Sequence, residues 1–121
     1  MQSKSLQMPN GDIYVVGGLN RGAKANEIEV LRDCFRVNRK LSIMAQEKME
    51  VARFGSPLAL VHDRFVLAMG GFTINNEPTS QCEAFDTVSN RWFRIAELPF
   101  AVANTTAVTM NNQTVYLMPG K

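Results

Sequence analysis

The chain has 121 residues, of which 45% are hydrophobic and 20% charged, so it can form a packed core and is neither disordered nor collagen-like in composition. Thirteen basic and eleven acidic residues give a formal charge of +2, which is too mild to indicate a nucleic-acid-binding protein. No apolar run approaches the roughly 20 residues of a membrane helix, and residues 1–10 contain no stretch of the signal-peptide kind. By length alone we expect about one domain.

Three apolar segments, each closed by glycine, recur along the chain and predict repeated strands. They are residues 12–18 (DIYVVGG), 64–71 (RFVLAMGG) and 114–120 (TVYLMPG). The spacing is 53 residues from Gly17 to Gly70 and 49 from Gly70 to Pro119. Because each run is too short for a helix and is rich in Val, Leu and aromatic residues, we expect strands buried on both faces.

Turn signals precede all three runs and predict that each unit opens with a hairpin. Asn10-Gly11 is typical of a type I′ turn, and His62-Asp63 and Asn111-Asn112 tolerate a positive φ. The upstream strand candidates are Ser5–Met8, Pro57–Val61 and Thr105–Met110.

Two further strands complete each unit. In the second unit we expect a polar loop at Phe72–Ser80 and strands at Gln81–Phe85 and Trp92–Ile95. A turn at Asp86–Asn90 would join the two strands. In the first unit we expect a loop at Leu19–Asn26 and strands at Glu29–Phe35 and Leu41–Met44. A helix over Ala45–Ala52 is the local alternative, because Ala, Gln, Glu, Lys and Met all favour helices.

Few residues indicate catalysis or metal binding. The only histidine, His62, falls in a predicted turn, and Cys34 and Cys82 lack the close-paired spacing of zinc ligands. The two cysteines fall in comparable strands of neighbouring units, too far apart for a disulfide, and two free thiols are typical of a reducing compartment. We expect no metal and no cofactor. A basic cluster is interpreted as a solvated edge, with a surface for nucleic acid or for an acidic partner as the alternative; it comprises Arg32, Arg36, Arg39 and Lys40.

The repeat resembles the kelch repeat, in which a glycine doublet, an aromatic residue and a tryptophan follow one another; here these are Gly70-Gly71, Phe85 and Trp92. The first unit lacks the tryptophan, and Pro119 replaces a glycine in the third. The resemblance implies an all-β fold of kelch-like β-propeller blades, each of four antiparallel strands. Phe85 and Trp92 would fill the space between blades.

About two and a half blades fit the chain, so we expect an incomplete ring and no stable isolated monomer, because a closed propeller takes ~4–8 blades. The expected divisions are 1–18 and 105–121 for the opening strand pairs of the first and third blades, 19–56 for the rest of the first blade, and 57–104 for the second blade.

The resemblance implies a non-catalytic, cytoplasmic protein–protein interaction module or scaffold, in a family that also has cytoskeletal members. Its partners are other proteins or further blades of a longer chain, with no membrane, nucleic acid or small-molecule substrate. The alternatives are a structural subunit segment of a large assembly and a propeller enzyme whose site lies in other blades. Partners would bind loops on one face. The partner-binding candidates are Asn20, Arg21, Lys24, Glu50, Arg53, Asn75, Asn76, Glu77 and Asn104.

Overall fold

A computed structural model describes residues 4–21, 28–103, 106–110 and 114–118. Within these ranges the chain forms twelve β-strands and no helix, and therefore no helix that could cross a membrane. The strands are β1 (Lys4–Gln7), β2 (Ile13–Val16), β3 (Leu19–Arg21), β4 (Ile28–Val30), β5 (Cys34–Val37), β6 (Ile43–Ala45), β7 (Leu58–Val61), β8 (Phe65–Met69), β9 (Cys82–Asp86), β10 (Arg91–Ile95), β11 (Thr106–Met110) and β12 (Thr114–Met118).

Two four-stranded antiparallel sheets form the centre of the structure. Sheet 1 has the order β1-β2-β5-β6 and sheet 2 the order β7-β8-β9-β10. The hairpin β11–β12 packs beside β7, and the short hairpin β3–β4 is inserted between β2 and β5. The all-β fold of four-stranded antiparallel blades predicted from the repeat is confirmed.

The first unit departs from its predicted strands. The inserted hairpin pairs Leu19–Arg21 with Ile28–Val30. The strand Leu19–Arg21 therefore lies within the segment that we expected to be a polar loop. The third strand of sheet 1 is therefore Cys34–Val37, which begins five residues later than the predicted Glu29–Phe35. The fourth strand is Ile43–Ala45, where Leu41–Met44 was predicted.

The alternative helix over Ala45–Ala52 is also wrong. After Ala45 the chain forms an extended linker whose amides bond to the first residue of β5 and to the segment before it: Gln46 N donates to Cys34 O and Met49 N to Arg32 O, both at 2.8 Å. These tertiary hydrogen bonds outweigh the small intrinsic helix preference of the residues.

Turn geometry agrees with the sequence at one hairpin and differs at another. His62 and Asp63 both have positive φ, at 55° and 51°, as their turn signal predicted. Asn10-Gly11 does not form a two-residue turn. The register pairs Gln7 with Ile13, which leaves residues 8–12 as a five-residue connection. The turn at 111–112 lies outside the described residues.

Sheet 1 and sheet 2 stack face to face around an apolar core. Tyr14 of β2 meets Phe85 of β9 with ring centroids 5.7 Å apart, and Phe85 in turn contacts Trp92 at 5.1 Å. The other buried members of this core are Met8, Val16, Cys34, Met49, Val66 and Ala68. The aromatic residues thus lie between blades, as predicted.

The second face of sheet 2 packs on the hairpin β11–β12. Ala59, Met69 and Cys82 are buried there against side chains that include Leu117. Because sheet 2 is covered on both faces, every residue of β9 is buried. The predicted burial of both faces does not hold for β2, where Ile13 is 36% exposed.

Candidate functional site

Both glycine doublets close their strands where the backbone leaves the sheet. Gly17, Gly18, Gly70 and Gly71 all have positive φ, between 62° and 124°, a range in which a side chain is strained. A Cβ on Gly70 would lie 2.5 Å from Val102 O. We call the end of the two sheets at which β2 and β8 finish the glycine end, and the opposite end of the strands the turn end.

The linkers between blades bind directly to these doublets. Gly18 N donates to Arg53 O at 3.0 Å, and Gly71 N donates to Val102 O at 2.7 Å. The same hydrogen bond therefore recurs in both units. In the first it holds the linker after β6 against the loop that follows β2, and in the second it holds the linker after β10 against the loop that follows β8. The loops predicted to bind partners consequently meet at the glycine end.

The loop after β8 carries three of the predicted site residues. Asn75, Asn76 and Glu77 are exposed, and Asn76 has a φ of 59°. The loop is closed by Thr73 N donating to Glu77 O at 3.1 Å and Asn76 N donating to Thr73 O at 2.9 Å. Their polar side chains are thus presented on a hydrogen-bonded turn.

Two apolar side chains at the glycine end were missed by the sequence analysis. Ile74 is 71% exposed in the loop after β8, and Phe100 is 68% exposed in the linker after β10. The two segments are joined through Val102, since Val102 N donates to Thr79 O and Gly71 N to Val102 O. An isolated apolar residue inside a polar loop is the signal that could have identified Ile74.

Arg53, predicted to contact a partner, is instead buried, with 1% of its surface exposed. Its guanidinium enters sheet 2 and donates to Gly70 O at 3.0 Å and Gln81 O at 2.8 Å. Burial lowers the pKa of Arg53, and the neighbouring Glu83 carboxylate opposes that shift. The prediction that Arg53 is available at a surface is therefore wrong, because the side chain is buried between the two sheets and its donors bind groups of sheet 2.

Glu83 is the counter-charge of Arg53 and is also 2% exposed. Its Oε2 lies 2.9 Å from Arg53 Nη2, while Glu50 N and Val51 N donate to the same carboxylate at 2.7 and 3.0 Å. A buried carboxylate is tolerated when such donors satisfy it. Glu83, on β9 of sheet 2, therefore fixes the linker that comes from sheet 1.

Three more of the predicted site residues lie in described segments at the glycine end: Glu50, Asn20 and Arg21. Glu50 is exposed and its Oε1 lies 2.7 Å from Arg94 Nη2. Asn20 and Arg21 lie on β3, paired with Glu29 and Ile28 of β4. Lys24 and Asn104 lie outside the described residues.

A groove of about 800 Å³ runs along the outer edge between the linker 46–50 and the start of β10. Trp92 forms part of its wall and donates from Nε1 to Glu47 O at 2.8 Å, which ties β10 to the linker. Three basic and two acidic side chains line it: Arg32, Lys48 and Arg91 against Glu47 and Glu50. The groove therefore offers polar contacts and an excess of only one positive charge.

Nucleophilic groups are poorly placed for chemistry in the described residues. Cys34 and Cys82 are free and buried, and burial raises the pKa of the Cys34 thiol to about 12, which leaves it protonated and unreactive at neutral pH. His62 lies in the β7–β8 turn at the turn end. Over the ranges described, no three His, Cys, Asp or Glu side chains come together as a metal site.

Comparisons with known proteins agree with this arrangement. No family model matches the chain. Its sequence is similar to human Kelch-like protein 38, with 29% identity over 110 residues, which are 90% of this chain and 18% of that protein. Its fold is similar to the solved structure of YjhT, with a TM-score of 0.80 at 15% identity, covering 99% of this chain and 44% of that one. The chain thus spans less than half the length of either protein.

Proposed function

Because this chain is a segment of a kelch-type propeller, we propose that it is a non-catalytic module that binds another protein at the glycine end. The observation that carries the proposal is the pair of exposed apolar side chains, Ile74 and Phe100, on two loops that are hydrogen-bonded to each other. Protein interfaces are typically built from such apolar anchors surrounded by polar groups.

The polar surround is supplied by the turn next to Ile74. The amide side chains of Asn75 and Asn76 can donate and accept hydrogen bonds, and the carboxylate of Glu77 can accept them. Mixed apolar and amide groups of this kind fit a polypeptide partner, whose backbone offers both donors and acceptors.

Rigid attachment favours binding, because loops that are already ordered lose little entropy when a partner docks. Phe72 exchanges two backbone hydrogen bonds with Phe54, at 2.7 and 3.0 Å, and their rings stack with centroids 5.2 Å apart. The loop after β8 is therefore attached to the linkers on both of its sides.

The turn end is a weaker candidate for the partner site. Val88 and Leu41 are 74% and 80% exposed there, but each lies alone on a tight turn between strands, and single exposed apolar residues are normal on protein surfaces. They therefore serve as matched controls for the glycine end.

The experiment is quantitative affinity capture with the full-length protein from cells of the source organism, followed by mass spectrometry. Ile74→Ser and Phe100→Ser should each lower recovery of the specific partner by about tenfold, since each removes a large part of an anchor's burial. Val88→Ser should leave recovery unchanged, and all variants should melt within a few degrees of wild type. Equal recovery with all three variants would refute the proposed site. Turnover of a small molecule by the purified protein would refute the non-catalytic role.

A further inference from the structure

Arginine stands three residues before a serine at two places in the sequence, and the fold treats the two serines differently. Ser42 follows Arg39 at this spacing, and Ser56 follows Arg53. Ser56 is 3% exposed and its Oγ donates to Gly70 O at 2.9 Å, so both its surface and its hydroxyl are occupied inside the structure. Ser42 is exposed. An enzyme that modifies serine can therefore approach only the first of the two.

Ser42 ends the turn that joins β5 to β6 at the turn end. The side chain of Asn38 organises this turn, since its Oδ1 accepts from Lys40 N at 2.9 Å and from Ser42 N at 3.0 Å. Asn38 N in turn donates to Ser42 O at 3.1 Å. These hydrogen bonds use only the backbone of Ser42, so the turn does not depend on its hydroxyl group.

The side chains around Ser42 have the charge pattern that an enzyme with an acidic substrate cleft would recognise. Arg39 and Lys40 are both exposed, and a cleft lined by carboxylates attracts such cations and orients them. On either side of the serine, Leu41 and Ile43 are 80% and 70% exposed. The five residues together therefore present two cations, the acceptor hydroxyl and a following apolar side chain to solvent.

The strand that follows Ser42 is weakly held, which matters because a kinase must draw its substrate into a cleft. β6 has three residues and is the edge strand of sheet 1, hydrogen-bonded only to β5. Ile43 and Ala45 are exposed, and Met44 is half-buried. Segments with few buried contacts open locally at a small cost in free energy. Residues 39–43 can therefore leave the turn while the core of the sheet stays folded.

We propose that Ser42, and not the buried Ser56, is a phosphorylation site for a serine/threonine kinase that selects basic residues before the acceptor. Ser42 Oγ bonds to the γ-phosphorus of ATP, the bond from that phosphorus to the β–γ bridging oxygen breaks, ADP leaves with the electron pair, and the hydroxyl proton passes to the aspartate base of the kinase. The phosphate brings a charge of about −1.5 to −2 at pH 7, which nearly cancels the charges of Arg39 and Lys40. This site lies at the turn end and remains even if the glycine end binds nothing.

The test is phosphorylation of the folded, full-length protein by ATP and the catalytic subunit of cAMP-dependent protein kinase, which selects arginine three residues before serine. Mass spectrometry of proteolytic fragments should place the phosphate on Ser42, and Ser42→Ala should remove it. Arg39→Ala should lower kcat/KM for phosphorylation by at least about tenfold, because it removes a charge that the kinase pairs. Arg91→Ala is the matched control, since Arg91 is exposed but lies outside the motif, and it should leave kcat/KM unchanged.

Three results would overturn the proposal. The first is a folded protein that takes up no phosphate at Ser42. In that case a synthetic peptide of residues 36–45 tells which part was wrong, because a phosphorylated peptide would show that the turn hides the serine and an unphosphorylated one that the motif is not recognised. The second is phosphorylation of Ser56 at a rate similar to that of Ser42. The third is equal kcat/KM for wild type and Arg39→Ala, which would show that the basic residues are not read.

Discussion

Arg53 Nη2 and Glu83 Oε2 lie 2.9 Å apart between the two sheets, where the side chains are 0% and 2% exposed. Arg53 comes from the linker after sheet 1 and Glu83 from the third strand of sheet 2. The pair therefore joins consecutive blades in a region where neither charge reaches water. Among the described residues, the equivalent positions elsewhere hold no such pair. Val102 takes the position of Arg53 in the linker after β10, and Phe35 takes the position of Glu83 in sheet 1.

Removing one member of this pair should be more harmful than removing both. Glu83→Ala should lower the free energy of unfolding by about 3–5 kcal/mol, because it leaves the Arg53 guanidinium buried without a counter-charge. The double variant Arg53→Met, Glu83→Leu should recover part of that loss, since it removes the unpaired charge, while Glu50 N and Val51 N still lack their acceptor. Urea denaturation of the full-length protein measures both.

Glu77→Ala is the control for this comparison, because its carboxylate is exposed and its loss should change stability by less than about 0.5 kcal/mol. A double variant less stable than Glu83→Ala would show that the pair is not held by electrostatic complementarity.

The glycine doublet predicts a second stability effect. Gly70→Ala should cost about 1–3 kcal/mol, because it forces a side chain into a φ of +62° and against Val102 O. Asn76→Gly is the matched control at a φ of +59° on an exposed loop, where the change should stay within about 0.5 kcal/mol. Thermal or urea denaturation of both variants checks the prediction, and equal losses would contradict it.

These residues also show what the sequence could predict. The strands, the glycine doublets and the interblade positions of Phe85 and Trp92 follow from local pattern and period, which act over a few residues. The fate of Arg53 could not be predicted, because an arginine in a linker is usually solvated and only the fold brings Glu83, 30 residues away, beside it. The β3–β4 hairpin was missed for a related reason, since its pairing depends on a neighbouring strand and its polar sequence resembles a loop.

Stability should fall at alkaline pH through Cys34. Burial raises the pKa of this thiol to about 12 in the folded protein, whereas the unfolded chain loses the proton near pH 8.5. Between those values the folded state holds the proton and the unfolded state does not. The free energy of unfolding therefore decreases as pH rises, by at most about 1.4 kcal/mol per pH unit.

Urea midpoints measured from pH 7 to pH 10.5 test this dependence. Cys34→Ala should flatten the decline above pH 9, although the raised pKa values of Cys82 and Tyr14 will leave part of it. Identical slopes for wild type and Cys34→Ala would contradict the assignment to this thiol.

The central claim is that the glycine end binds a protein partner, and the most direct test is the dissociation constant of the captured partner, measured by calorimetry with the purified full-length protein. We predict that the double variant Ile74→Ala, Phe100→Ala weakens binding by at least about 100-fold, as loss of two anchors implies. The double variant Leu41→Ala, Val88→Ala at the turn end should bind within threefold of wild type. Unchanged affinity for the glycine-end variant, or a larger loss for the turn-end variant, would contradict the account.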